Sequence, residues 1–190
     1  MNFSNNSILV DNYLKNQSNL LSSIILILTG TILLTLSAKI SVPFYPVPMT
    51  LQTLLVLFIG LTYGRILAPL TLALYLFQGA IGLPVFANGG GFVYLLGPTG
   101  GYLIGFLLAA TILSYLSNIG WNRNYILTFI SLIVGIITIF SCGLLQLSLV
   151  LNKTITESII LGLTPFIYGE IFKILILLII IPLISKRNIS

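Results

Sequence analysis

The sequence predicts an all-α membrane protein of six transmembrane helices. Apolar residues make up 57% of its 190 positions and charged residues only 6%, and the mean hydropathy is +1.14. A soluble domain carries roughly 25% charged residues, so this chain has too few to cover a water-facing surface. Its apolar runs are continuous over about 20 residues, the length that crosses the hydrocarbon layer as a helix. They lack the alternation of barrel strands, which leaves helices as the spanning elements.

The six predicted spans are separated by segments that cannot continue a helix. Three prolines interrupt residues 39–48, and residues 82–99 are rich in glycine and proline. The second and third spans are short, which indicates tilt or shelter by neighbouring helices. The predicted spans cover approximately residues 18–38, 49–63, 66–80, 100–116, 125–150 and 164–184. They form one domain, 18–185, between cytoplasmic tails at 1–17 and 186–190. The first tail lacks the basic start and cleavage site of a signal peptide.

The positions of the basic residues predict the orientation. With both termini inside, the inner segments hold five basic residues and the outer segments hold two, Lys39 and Lys153. This asymmetry follows the positive-inside rule. The proline loop, the glycine-rich segment and the loop before the sixth span then face outward, where they can cover a pocket. The five inner residues are Lys15, Arg65, Arg123, Lys186 and Arg187.

Several classes of function are excluded or disfavoured by residue content. Cys142 is the single cysteine and there is no histidine, so a disulfide framework, a cysteine metal cluster and histidine-dependent catalysis are excluded. No G-x-x-x-x-G-K-[ST] motif is present, so this chain does not bind a nucleotide through a P-loop. The eight basic residues are scattered and form no nucleic-acid-binding patch.

Glu170 and Lys173 are the most informative pair, because both lie inside the sixth span. Each charge near a helix centre costs roughly 2.5–3.5 kcal/mol on insertion scales. A Glu–Lys pair three residues apart returns only about 0.2–0.5 kcal/mol on an exposed helix. The pair is therefore expected to face the bundle interior or a cavity, which makes it a ligand-site hypothesis. A purely structural ion pair, with the lysine reaching toward the outer interface, is the alternative.

The glycine-rich segment supplies further candidate residues. Its glycines, Gly90 among them, permit close backbone approach, and its large apolar residues, including Phe86, are unexpected in a solvated loop. Thr99 is a candidate N-cap for the fourth span, and Tyr102 follows in its first turn. A flexible connection is the alternative for this segment. Gln52 and Tyr75, on the second and third spans, either line a pocket or only bond neighbouring helices.

Three stretches of the chain together resemble the BioY family, the biotin-specific substrate-binding components of energy-coupling factor (ECF) transporters. They are PVPMTLQTL, YLFQGAIGLPVFANGGGFVYLLGPTGGYLIGF and PFIYGEIFK. The resemblance is dense from Val42 to Ala110, thinner through the fourth and fifth spans, and returns at residues 165–173.

The resemblance implies a six-helix S-component fold in the plasma membrane, with biotin held near the outer face. It implies no cofactor on this chain, with ATP used only by partner ATPase subunits that act with a transmembrane coupling subunit. Glu170 and Lys173 occupy the positions of an acidic residue, more usually aspartate, and a lysine that contact the ligand's polar head. Asn88 is the candidate amide contact to the ureido group.

The chain departs from the family pattern in two respects. The arginine that relatives can use for the biotin carboxylate is absent from residues 66–122, so the carboxylate partner stays open. The small-residue motif of the first helix, thought to dock the coupling subunit, is reduced to Thr31-x-x-x-Thr35.

Two other functions compete with ATP-coupled uptake. A solitary proton-driven transporter would use Glu170 as its proton carrier, but the chain offers one carboxylate within its spans and no clear repeat. A membrane enzyme lacks the acid–base pairs that most catalysis requires. Genes for a coupling membrane protein and ATPases in the same genome would favour the uptake subunit.

Overall fold

The computed structural model describes residues 20–187, with side chains described as far as Ser185. The helices are α1 (Leu20–Lys39), α2 (Gln52–Thr62), α3 (Gly64–Ala80), α4 (Phe92–Leu96), α5 (Gly100–Asn118), α6 (Tyr125–Leu151), α7 (Ile155–Gly162) and α8 (Ile167–Arg187). Two short strands, β1 (Ser41–Val42) and β2 (Met49–Thr50), form an antiparallel hairpin. Turns of 3₁₀ helix cover Trp121–Arg123 and Thr164–Phe166. The predicted tail 1–17 lies outside the described residues.

The described chain is mostly helical, as predicted, and four of its stretches are long and apolar enough to cross a membrane. They are Leu20–Lys39, Gly100–Asn118, Tyr125–Leu151 and Ile155–Ser185. α2 has only 11 residues, about 16 Å of helix. Eight of those 11 residues are buried, which favours shelter by neighbouring helices among the two predicted alternatives, tilt or shelter.

Close backbone approach packs the centre of the bundle. A Cβ atom added at Gly60 of α2 would lie 2.9 Å from the Leu113 Cβ and 3.2 Å from the Ala110 Cα of α5. A Cβ added at Gly105 of α5 would lie 2.9 Å from the Ile139 Cα of α6. Larger side chains at these two positions would push the helices apart, because distances this short are tighter than ordinary van der Waals contact.

The structure adds elements to segments expected to be loops. Met49 and Thr50 pair with β1, and for this reason α2 begins at Gln52 and not at Met49. α4 lies within the glycine-rich segment, and α7 lies between the fifth and sixth predicted spans. Helix α7 begins with a capping box, in which the Thr154 hydroxyl accepts from the Glu157 backbone N–H and the Glu157 carboxylate accepts from the Thr154 backbone N–H.

The bundle has two chemically different ends. α2, α5 and α8 all begin at one end, which also holds the hairpin and the glycine-rich segment. At the opposite end, the Leu61 carbonyl accepts from the Ser117 hydroxyl and the Asn122 amide at 2.6 and 3.2 Å. Arg65 lies over the Tyr115 ring there, 5.6 Å from its centroid. The candidate functional residues lie at the first end.

Candidate binding site

Glu170 and Lys173 form a buried ion pair at the start of α8. The Lys173 Nζ atom donates to Glu170 Oε1 at 2.7 Å, to Thr53 Oγ1 at 2.7 Å and to the Thr50 carbonyl at 2.7 Å. The Thr53 hydroxyl in turn donates to Glu170 Oε1 at 2.8 Å. The three donors of the ammonium group are therefore all used. α8 is thereby joined to the start of α2 and to β2.

The second carboxylate oxygen of Glu170 is in a different situation. Glu170 Oε2 is buried and has no hydrogen-bond partner among the described residues. Such an atom costs about 1–3 kcal/mol, and more for a charged group, unless something pairs with it. Glu170 is also one of the residues that line a cavity.

That cavity has a volume of about 50 Å³ and is partly open to solvent. Its polar lining consists of Thr50, Gln52, Thr53, Thr99 and Glu170. Its aromatic lining consists of Tyr94, Tyr102, Phe106, Phe140 and Phe166. An apolar cavity with a few polar groups on one wall suits a compact ligand that has both characters.

A chain of hydrogen bonds fixes Gln52 at the cavity wall. The Gln52 side-chain amide donates to the Tyr75 hydroxyl at 2.6 Å, and this hydroxyl donates to the Val85 carbonyl at 2.9 Å. The Gln52 Oε1 atom accepts from the Thr50 hydroxyl at 3.1 Å. One N–H of the Gln52 amide remains for another partner, because a side-chain amide has two donors.

The glycine-rich segment is anchored over the cavity by an aromatic ring. Phe86 is fully buried and stacks on Tyr94, with ring centroids 5.2 Å apart, and meets Tyr75 edge-on at 5.5 Å. Its ring lies against Gly79 of α3, where any side chain would occupy the same space. Ala87, the next residue, lines the cavity. The buried ring thus holds this part of the segment in place.

Two polar side chains bond backbone carbonyls of the segments near the cavity. The Gln146 amide of α6 donates to the Leu95 and Gly97 carbonyls, both at 2.8 Å. The Tyr102 hydroxyl donates to the Gly162 carbonyl at 2.8 Å, which joins α5 to the end of α7. The accepting carbonyls lie at the C-terminal ends of α4 and α7, where a helix no longer supplies backbone N–H partners for them.

The structure brings some of the predicted site residues together at the cavity. Gln52, Thr99, Tyr102 and Glu170 line it directly. Thr99 occupies the predicted N-cap position of α5, but its hydroxyl makes no cap hydrogen bond. Three other predicted residues do not line the cavity but contact residues that do: Lys173, Tyr75 and Phe86.

Two predicted site residues lie away from the cavity. The Phe86 and Gly89 backbones bond each other, at 2.9 and 3.4 Å, so Ala87 and Asn88 form the tip of a tight turn. This turn places Ala87 on the cavity wall and leaves Asn88 exposed. Gly90 is exposed as well, and its backbone approaches the Leu83 carbonyl so closely that a Cβ would clash.

Sequence reasoning missed Thr53 and most of the aromatic wall. Thr53 lies within PVPMTLQTL, so its polarity near the start of a span was a visible signal. Phe106, Phe140 and Phe166 carry no such signal, because aromatic residues are common on any face of a membrane helix.

The family model described as "BioY family" matches residues 10–189, nearly the whole chain. The chain belongs to the BioY family. The "Biotin transporter BioY" of Thermotoga maritima is 34% identical over 161 residues, covering 84% of this chain and 94% of that protein. The "Biotin transporter BioY2" of Lactococcus lactis subsp. cremoris is 35% identical over 159 residues, covering 83% of this chain and 86% of that protein.

A solved structure has the same fold. It is the crystal structure of the S-component for biotin from an ECF-type ABC transporter. The TM-score is 0.78 at 24% sequence identity, over 92% of this chain and 94% of that chain. The family match and the names of the two relatives confirm the predicted membership of a transporter family and not of an enzyme family.

Proposed function

We propose that this chain captures biotin at the cavity and delivers it to the cell as the substrate-binding subunit of an uptake system. The observation that carries this proposal is that Glu170, a buried carboxylate whose Oε2 atom has no partner among the described residues, belongs to the lining of the cavity. Biotin offers two ureido N–H donors, a ureido carbonyl, an apolar bicyclic ring and a carboxylate tail. A charged acceptor in an otherwise apolar cavity complements a ureido N–H. The names of the relatives point to the same ligand.

In the proposed complex, Glu170 accepts the ureido N–H and Lys173 positions Glu170. Lys173 already donates to three protein atoms, so it serves the carboxylate and does not donate a fourth bond to the ureido carbonyl. The free N–H of the Gln52 amide is the donor for that carbonyl, because the chain through Tyr75 holds the amide in place. Tyr94, Tyr102 and Phe140 cover the bicyclic ring.

The proposed orientation places the cavity end outside a plasma membrane and both termini inside, with six crossings by α1, α2, α3, α5, α6 and α8. Arg65 and Arg123 lie at the end opposite the cavity, and the backbone of α8 runs to Arg187 at that end. Lys39 is the last residue of α1 and Lys153 follows the end of α6, and both helices end near the cavity. Such a distribution agrees with the positive-inside rule.

The energy for uptake is proposed to come from a separate ECF module of ATPase and transmembrane coupling subunits. The proton-driven alternative is disfavoured by the ion pair at Glu170. A proton on this carboxylate would remove the counter-charge from Lys173, which lies 2.7 Å away in a buried site. Of the Thr31-x-x-x-Thr35 motif, Thr31 is buried within the bundle and Thr35 is partly exposed.

Equilibrium binding of labelled biotin to the purified chain tests the proposal. We expect saturable binding without ATP or any partner subunit, because the proposed contacts all lie on this chain. Thiamine and riboflavin should fail to compete. A folded sample that binds no biotin would remove the assignment, whereas displacement of biotin by another vitamin would retain the fold and change the substrate.

A further inference from the structure

Lys39, the last residue of α1, reaches across to the glycine-rich segment at the cavity. Its Nζ atom donates to the Phe86 carbonyl at 2.6 Å and lies 3.5 Å from the Ala87 carbonyl. Ala87 is one of the residues that line the cavity, so the Lys39 ammonium group lies close to a residue of the cavity lining. The residue is exposed to solvent, which leaves its third donor accessible.

The charge balance at this end of the bundle singles out Lys39. Within residues 20–185 the carboxylates are Glu157 and Glu170. Glu157 pairs with Lys153 and Glu170 pairs with Lys173. Within those residues, Lys39 donates to two neutral carbonyls. A full positive charge beside the cavity therefore has no counter-charge there.

We propose that the Lys39 ammonium group binds the carboxylate of the captured ligand. The inference rests on the proposed function, since it assigns a partner to the carboxylate of biotin. Glu170 would hold the ureido end against α8, and the tail would extend past Ala87 to Lys39. Arg65 and Arg123 lie at the opposite end of the bundle and cannot reach it. Lys153 has its own carboxylate partner.

Lys39 would gain a charged acceptor without moving far. A bond to a carboxylate is stronger than one to a neutral carbonyl, so the ligand would replace the 3.5 Å contact to Ala87 and retain the bond to Phe86. The charge of Lys39 would then distinguish a free carboxylate from an uncharged tail. Because the site is exposed, salt would weaken this discrimination.

The test compares biotin with biotin methyl ester, which keeps the ureido ring and removes the charge. Affinities for both are measured on the wild-type chain, Lys39→Gln, Lys39→Arg and the matched control Lys153→Gln. We expect Lys39→Gln to lose about 10-fold in affinity for biotin, at the low end for a hydrogen bond to a charged group. Its affinity for the ester should stay unchanged. Lys39→Arg should keep the preference for biotin, and Lys153→Gln should behave as wild type.

The outcomes separate this inference from the proposed function. Equal losses for biotin and the ester in Lys39→Gln would show that Lys39 only tethers the glycine-rich segment, and would overturn the inference. A wild-type chain that binds the ester as tightly as biotin would also overturn it. A wild-type chain that binds neither would instead remove the proposed function. High salt should reduce the wild-type preference for biotin and leave the ester affinity unaltered.

Discussion

Among the described residues, two Lys–Glu pairs lie close to the same end of the bundle, in opposite surroundings. The side chains of Lys173 and Glu170 are 7% and 6% exposed, and their charged atoms lie 2.7 Å apart. Those of Lys153 and Glu157 are 40% and 49% exposed and lie 3.4 Å apart. A threonine hydroxyl donates to the carboxylate of each pair: Thr53 donates to Glu170, and Thr154 donates to Glu157.

The comparison teaches that burial, and not the pairing itself, decides what an ion pair does. The exposed pair lies at the N-terminus of α7, where Glu157 is part of the capping box, and both of its charges are in contact with solvent. Desolvating the buried pair is costly, and its attraction offsets that cost only if nearly every polar atom is bonded. Glu170 Oε2 has no bond among the described residues, so those residues leave one polar atom of this pair without a partner. An incomplete buried pair is consistent with a binding site.

The largest expected effect comes from removing one charge of the buried pair. Lys173→Met leaves the Glu170 carboxylate buried without a counter-charge, which destabilises a protein by about 3–5 kcal/mol. For a chain of this length the melting temperature should fall on the order of 10 °C. Lys153→Met is the matched control and should leave the melting temperature nearly unchanged. Similar melting temperatures for both variants in detergent would contradict the distinction between the two pairs.

Neutralising the acidic partner should affect affinity most. Glu170→Gln removes a charged acceptor, and a hydrogen bond to such a group is worth roughly 1.5–3 kcal/mol, or about a 10- to 150-fold loss in biotin affinity. Glu170→Asp, the residue more usual in the family, should retain binding. Both affinities are measured below the melting temperature of each variant, with Glu157→Gln as the control. Wild-type affinity in Glu170→Gln would take Glu170 out of the site.

A smaller effect is expected from Thr53, which touches both charges. Thr53→Val keeps the shape of the side chain but leaves Glu170 Oε1 and Lys173 each with one bond fewer. We expect a loss of about 1–2 kcal/mol in the free energy of unfolding, and several-fold weaker biotin binding as Glu170 loses its orientation. Thermal unfolding and equilibrium binding measure the two effects. Unchanged binding would restrict Thr53 to a structural role.

The buried pair could be predicted from the sequence, whereas its hydroxyl partner could not. The cost of two charges inside a span already requires Glu170 and Lys173 to face inward, whatever the rest of the fold. Thr53 is 117 positions from Glu170, and only the packing of α2 against α8 brings the two together. The hairpin was missed for a similar reason. Its prolines favour a loop, and the pairing of β1 with β2 depends on register across that loop.

Asn88 shows how local geometry limits inference from position. The sequence places Asn88 next to Ala87, but a two-residue turn between Phe86 and Gly89 directs neighbouring residues to different sides. Helix α7, in contrast, carried a readable signal. The pattern Thr154-x-x-Glu157 before an apolar run is a capping box, and it identifies a helix start without any tertiary information.

The smallest effect is expected at that capping box, and it separates the two threonines. Thr154→Ala removes the hydroxyl that accepts from the Glu157 backbone N–H, and loss of an N-cap typically costs about 1 kcal/mol. The melting temperature should fall by only about 2–4 °C. Biotin affinity should stay at the wild-type value, because Thr154 and Glu157 lie outside the cavity lining. Thermal unfolding and equilibrium binding of Thr154→Ala beside Thr53→Val measure this contrast.

If Thr154→Ala weakened binding as much as Thr53→Val, the end of α7 would contribute to the site through the Tyr102 hydroxyl and the Gly162 carbonyl. The exposed pair would then no longer be a helix cap alone.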